Sequence, residues 1–174
     1  VERGTMNSDK GIKIRAAQKS DLGDMLNIQK SAFARYTEFL LSEQIQPLHE
    51  TFDEVKEDFE KKTILVVEIK DRLAGSIRYE IKGGVCIIER LSVLPEFQGN
   101  GIGRALINEV EKRASRNAHK LYLETGLLAN NLLMFYTRLG YSAEAVLRKH
   151  YGGFDWIVFS KFIDDEGTGN AYKT

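Results

Sequence analysis

Two periods run through the chain, one near two and one near 3.6 residues, and their order predicts the fold. Ile12, Ile14 and Ala16 alternate with polar neighbours as a first strand, and Ser20-Asp21 then offers a cap for a helix carrying Leu22, Met25, Leu26 and Phe33. After a polar stretch containing Pro47, residues 51–62 place Phe52, Val55 and Phe59 on one face of a short acidic helix. Three β-branched runs follow at 63–69, 73–81 and 85–94, separated by Lys70-Asp71-Arg72 and Gly83-Gly84, links suited to hairpins. Pro95 ends the third run, and Ile102, Leu106, Val110 and Ala114 return to helical spacing. A strand at 121–125 precedes a helix with Leu132, Phe135, Tyr136 and Leu139, for which Asn130-Asn131 supply a cap and Gly140 a stop. Residues 141–150 and 154–163, split by Gly152-Gly153, make a last hairpin. The expected fold class is α/β (α+β): a mixed, mostly antiparallel seven-stranded sheet with about four helices on its faces, and ligands entering where the strand order splits.

Composition narrows the functions this fold could serve. At 174 residues with 43% hydrophobic residues the chain is the size of one domain with a real core. Lys+Arg and Asp+Glu are both 25, so no net charge draws it to nucleic acid or to an anionic membrane, and an acidic ligand must be held locally. The apolar runs 64–67 and 85–88 are far short of the roughly 20 residues that span a bilayer. Cys86 is the single cysteine, which excludes an internal disulfide and fits a reducing compartment, with cytoplasm as the default. Met6 reads as a natural start, so residues 1–5 are set aside, residues 6–163 form the domain, and the polar stretch 164–174 reads as a flexible tail.

The candidate chemistry begins at the glycines. Gly99, Gly101 and Gly103 stand immediately before a helix, where unpaired N–H groups and the positive helix end favour phosphate. Such a loop alone is also compatible with a plain strand-to-helix connection. A dinucleotide fingerprint would need a small residue where the chain has Arg104 or Leu106, and a P-loop would need Lys-Ser/Thr where it has Arg104-Ala105. Neither rival motif fits.

The segment Leu91-Ser92-Val93-Leu94-Pro95-Glu96-Phe97-Gln98-Gly99-Asn100-Gly101-Ile102-Gly103 resembles the acetyl-CoA-binding segment of the GNAT superfamily of N-acetyltransferases, and Phe135-Tyr136-Thr137-Arg138-Leu139-Gly140-Tyr141 is similar to that family's later helix. The resemblance covers residues 12–163. It implies acetyl-CoA as acetyl donor, no metal, and a primary amine of a small molecule or peptide as acceptor; a homodimer is a further expectation. It also implies a bulge in the strand before the cradle. Leu91 and Val93 then pair with the pantetheine arm, and Gln98, Gly99, Asn100, Gly101, Ile102, Gly103 and Arg104 hold the phosphates. Where family sequences often place an asparagine, this chain has Ala129, and the neighbouring Asn130 has two readings, coenzyme contact and helix cap.

An amine attacking a thioester passes through an oxyanion that a fixed backbone donor stabilises, and the leaving thiolate then needs a proton. The resemblance assigns that second task to Tyr136, which otherwise reads as a packing residue. An ammonium must lose a proton first, and Glu124 and Glu89 are the candidate bases, Glu124 ranking first for its twelve-residue spacing to Tyr136, as in ribosomal-protein N-terminal acetyltransferases. Cys86 reads as a buried small residue, which leaves direct transfer in a ternary complex. His49, His119 and His150 lack metal-ligand spacing and read as surface or structural. Glu50, Asp53, Glu54, Glu57, Asp58 and Glu60 against Lys56, Lys61 and Lys62 favour a cationic acceptor. The rival from another class is a non-catalytic acyl-CoA-binding sensor.

Overall fold

The computed structural model describes residues 6–7 and 11–163. The set-aside residues 1–5 and the tail 164–174 therefore lie outside the described residues. One sheet runs through the domain in the order β1-β2-β3-β4-β5-β6-β8-β7. Its strands are β1 (Met6–Asn7), β2 (Ile12–Ala16), β3 (Thr63–Ile69), β4 (Arg72–Lys82), β5 (Val85–Val93), β6 (Lys120–Gly126), β7 (Ser142–Leu147) and β8 (Trp156–Phe162). The seven expected strands are present, and the two-residue β1 adds an edge. Every neighbouring pair is antiparallel except β5 with β6. The β3–β4 link turns through Lys70 at φ 50° and Asp71 at φ 61°, and the β4–β5 link through Gly83 at 58° and Gly84 at 78°, the left-handed pairs that match hairpin twist.

Five helices flank the sheet: α1 (Leu22–Ala34), α2 (Gln46–His49, a single turn), α3 (Phe52–Lys61), α4 (Ile102–Ala114) and α5 (Asn130–Arg138). Alternation along β3 divides the core. Ile64 and Val66 pack with Leu22, Met25 and Ile28 of α1 and Val55 of α3, whereas Leu65 and Val67 join Leu106, Ile107 and Val110 of α4 and Tyr136 of α5. One face of the sheet thus carries α1 and α3, the other α4 and α5.

Two expected caps are corrected. Asp21 precedes α1 without capping it; its carboxylate accepts from Arg15 at 2.6 Å and from the Gln18 N–H at 2.7 Å, closing a 3-10 turn over Lys19–Asp21. In α5 the N-cap is Ala129, so Asn130 and Asn131 are its first helical residues; a local Asn pair could not reveal where the preceding turn would end. Thr51, by contrast, caps α3 with a reciprocal Glu54 bond.

Candidate active site

The parallel pairing of β5 with β6 lasts only from Val85 opposite Lys120 to Ile88 opposite Leu123. Beyond it the strands part, because β5 is bulged. Three residue steps from Glu89 to Ser92 face two steps from Arg78 to Ser76 on β4, and Arg90 takes φ 52° to absorb the extra residue. The bulge implied for this strand is present, and the split opens into a cleft of about 1160 Å³.

Glu89, Leu91, Val93, Gln98, Gly99, Asn100, Gly101, Ile102, Gly103, Arg104, Glu124 and Tyr136 all line this cleft. The side chain of Asn130 lies outside the described residues, while its neighbour Asn131 is in the lining.

The three glycines differ in what they do. Gly99 at φ 77° and Gly101 at φ 83° need the left-handed conformation, and a Cβ on either would meet nothing within 4 Å. Gly103 is different: its Cβ would sit 3.4 Å from the Phe135 ring, so it lets α4 pack on α5. The first i to i−4 bond of α4 is from Ala105 to Gly101 at 2.9 Å, which leaves the N–H groups of Ile102, Gly103 and Arg104 ahead of it. Those donors and the open space over Gly99 and Gly101 suit a phosphate group. The Gln98 side chain holds the loop itself, donating to Val93 O at 2.9 Å and accepting from Arg35 at 3.1 Å. Asn100 closes the turn onto Phe97 O and Gln98 O at 3.3 Å each. Ile102 is a core residue and offers a ligand only its backbone.

Register sorts the chemical groups onto the two faces. Ile87 is opposite Tyr122, so Glu89, Tyr122 and Glu124 share the face that carries α1 and α3. Tyr136 packs on the other face with Phe135, Tyr141 and Phe159. Burial, with a smaller effect from Tyr36, pushes the Tyr136 phenol above its ordinary value, so it is a proton donor at neutral pH. Among the described residues no hydrogen bond engages its hydroxyl.

Sequence reasoning missed the polar cluster behind Glu89. Arg78, 2% exposed, donates to Glu50 at 2.8 and 2.9 Å, to Asp58 at 2.8 Å and to Gln29 at 2.8 Å. Gln29 reaches on to Glu50 at 2.7 Å and Pro47 O at 3.0 Å. Lys62 bridges Asp58 to Glu89. Across the split Glu124 has lighter company, with the Tyr122 O–H donating to one oxygen at 2.6 Å and His150 Nε2 lying 3.6 Å from the other.

The lips of the cleft touch. Gln44 Nε2 donates to Gly152 O at 2.8 Å, and a Cβ on Gly152 would fall 2.6 Å from Gln44 O. Tyr151, Phe154 and Trp156 stack into an aromatic wall beside this seam. Cys86 is fully buried and its thiol is pushed up to about 12 by burial, far from nucleophilic. Among the described residues no cluster of His, Cys, Asp and Glu could hold a metal, and no helix is long and apolar enough to cross a membrane.

This arrangement has relatives. The acetyltransferase (GNAT) family model matches residues 27–141, which takes in the bulged strand, the glycine loop and Tyr136. An uncharacterised N-acetyltransferase of Methanocaldococcus jannaschii is 34% identical over 99 residues, 55% of this chain and 64% of that protein, so the match spans somewhat under two thirds of its length. Among solved structures, a GNAT-family protein of Desulfovibrio desulfuricans superimposes with a TM-score of 0.71 at 25% identity, over 88% of this chain and 99% of the other. The spermidine N-acetyltransferase of Vibrio cholerae, solved with CoA and spermine, gives a TM-score of 0.70 at 23% identity over 87% and 95% of the two chains. A family match over more than half the chain, laid on a sheet that parts at the bulged strand, establishes that the chain belongs to the GNAT family of acetyltransferases.

Proposed function

We propose that the protein transfers an acetyl group from acetyl-CoA to a primary amine, directly and in a ternary complex. The observation that carries this reading is the split of β5 from β6, with a glycine-led helix at one end and both Tyr136 and Glu124 on its walls. When bound, acetyl-CoA supplies a thioester whose carbonyl carbon accepts the amine lone pair and whose sulfur leaves.

The chain's own groups would divide the work. The loop from Gly99 to Arg104 holds the phosphates through backbone N–H groups, with Arg104 and Arg35 on the cleft wall nearby. Past Ile88 the backbone of β5 has no β6 partner, so Leu91 and Val93 are free on that side to bind the pantetheine amides and to place an N–H at the thioester oxygen. Tyr136, kept protonated by burial, donates to the departing sulfur. Glu124 is favoured over Glu89 as the base, because Glu89 is neutralised by Lys62 while one Glu124 oxygen has no hydrogen-bond donor among the described residues.

The acceptor is a cationic amine. Glu50, Glu54, Glu57, Asp58, Glu89 and Glu124 line this part of the cleft against Lys62, Arg90 and the buried Arg78 behind them, a balance that still favours an ammonium over a neutral or acidic partner. The Vibrio cholerae relative, solved with spermine, fits that chemistry.

The test is CoA thiol release with spermidine, L-lysine, kanamycin and a short alanine-initiated peptide. Release with at least one of them, matched by acetylated product, is expected. Tight acetyl-CoA binding with no release from any amine would overturn the reading in favour of a sensor. Tyr136→Phe should lower kcat about 100-fold while coenzyme affinity stays nearly intact.

A further inference from the structure

We infer that His150 is the relay through which the proton taken up by Glu124 leaves the cleft, an inference that rests on the acetyl-transfer reading above. Acetylating an ammonium and returning CoA as a thiol releases one net proton, which must pass from Glu124, whose side chain is 25% exposed, to solvent. Glu124 Oε1 is occupied, since the Tyr122 O–H donates to it at 2.6 Å. Burial, and then this bond to Glu124, raise the Tyr122 phenol above its ordinary value, so it stays a donor and cannot take the proton on. The proton therefore goes to Oε2, and the group facing Oε2 is His150 Nε2 at 3.6 Å, a separation that tightens readily when substrate fills a site.

His150 is built into place. Its backbone N–H donates to Phe154 O at 3.0 Å, and its ring lies 4.1 Å from that of Tyr151. Its side chain is 35% exposed, so one edge meets Glu124 while the imidazole still reaches solvent. The ionisable groups facing it are Glu124 and Tyr122 from β6 and Tyr151 beside it. Asp155 of the same loop is taken up by Arg148 at 3.0 Å and by the Lys149 N–H at 2.9 Å.

The steps balance. The Glu124 carboxylate takes one proton from the ammonium, freeing the lone pair that forms the C–N bond. As the C–S bond then breaks, Tyr136 gives its proton to the sulfur and is made good by the second proton lost from nitrogen. Protonated Glu124 then gives its proton to neutral His150 Nε2, and the imidazolium releases it to water. Glu124 returns to its charged form for the next turnover.

The experiment measures kcat and kcat/KM against pH for the wild type, His150→Gln and Glu124→Gln, using the fastest amine of the panel. It repeats each measurement with added imidazole. His150→Gln should lower kcat roughly tenfold and recover activity with added imidazole. Glu124→Gln should lower kcat without recovery by imidazole, because the relay starts at its carboxylate. An unchanged kcat in His150→Gln, or a lowered kcat that added imidazole does not recover, overturns the relay. If Glu124→Gln abolishes turnover while His150→Gln matches the wild type, the relay fails and acetyl transfer stands. If no amine releases CoA, that reading falls and takes the relay with it.

Discussion

The two banks of the split carry the same residue type on the same face and treat it in opposite ways. On the β5 bank, Glu89 and the neighbouring Glu50 and Asp58 are each paired, by Lys62 or by Arg78. On the β6 bank, Glu124 has a phenol on one oxygen and a distant imidazole beside the other. Carboxylates held by cationic donors have little room for a new partner, whereas Glu124 keeps one oxygen without a hydrogen bond among the described residues. The first bank is a strut that ties α1, α2 and α3 to the sheet; the second is where a proton can move.

Removing Arg78 should have the largest effect, since it strands buried charge. Arg78→Met is expected to cost about 3–5 kcal/mol, seen as a melting temperature lower by about 10 °C, and a second change, Glu50→Gln, should restore part of it. The same bank sets the acid response. Burial alone would push Glu50 up, but the hydrogen bonds and charge of Arg78 outweigh it, and the carboxyl sits below its ordinary 4.5. A depressed carboxylate contributes stability above its unfolded value and loses it as pH falls through the folded one, so the melting temperature should drop below about pH 4.5 and drop less steeply in Arg78→Met.

Glu124→Gln tests the other bank. A kcat about 100-fold lower, with the melting temperature unchanged, is the outcome that the proposed base role of Glu124 demands. Glu89→Gln should show the reverse pattern at the smallest scale: kcat within about twofold of the wild type and stability lower by about 1 kcal/mol or less. A collapse of kcat in Glu89→Gln with normal turnover in Glu124→Gln would exchange the two roles.

Much of the frame was legible because it is locally written. Alternation at Ile12 and Ile14, helical spacing from Ile102 to Ala114, and the left-handed needs of Gly83, Gly84 and Gly140 are short-range signals that this fold obeys. The cleft wall from Leu91 to Arg104 was legible for the same reason, as one continuous segment with a motif. Arg78 was not, because its partners Glu50 and Gln29 stand 28 and 49 residues away and no local pattern pairs them. His150 was set aside for lacking metal-ligand spacing; its meeting with Glu124 comes from β8 lying between β6 and β7, an order that sequence periodicity does not reveal. Gln98 stands in the motif segment, and its amide braces the loop it belongs to, a contact that the motif does not reveal.

The seam between Gln44 and Gly152 joins positions 108 apart in the chain. Contacts of such long separation close a large loop for few interactions, and so form late on the way to the folded state. The mouth of the cleft is then the last part of the molecule to be assembled and the first to loosen. Weakening it, as with Gln44→Ala, should speed unfolding while hardly changing the rate of folding.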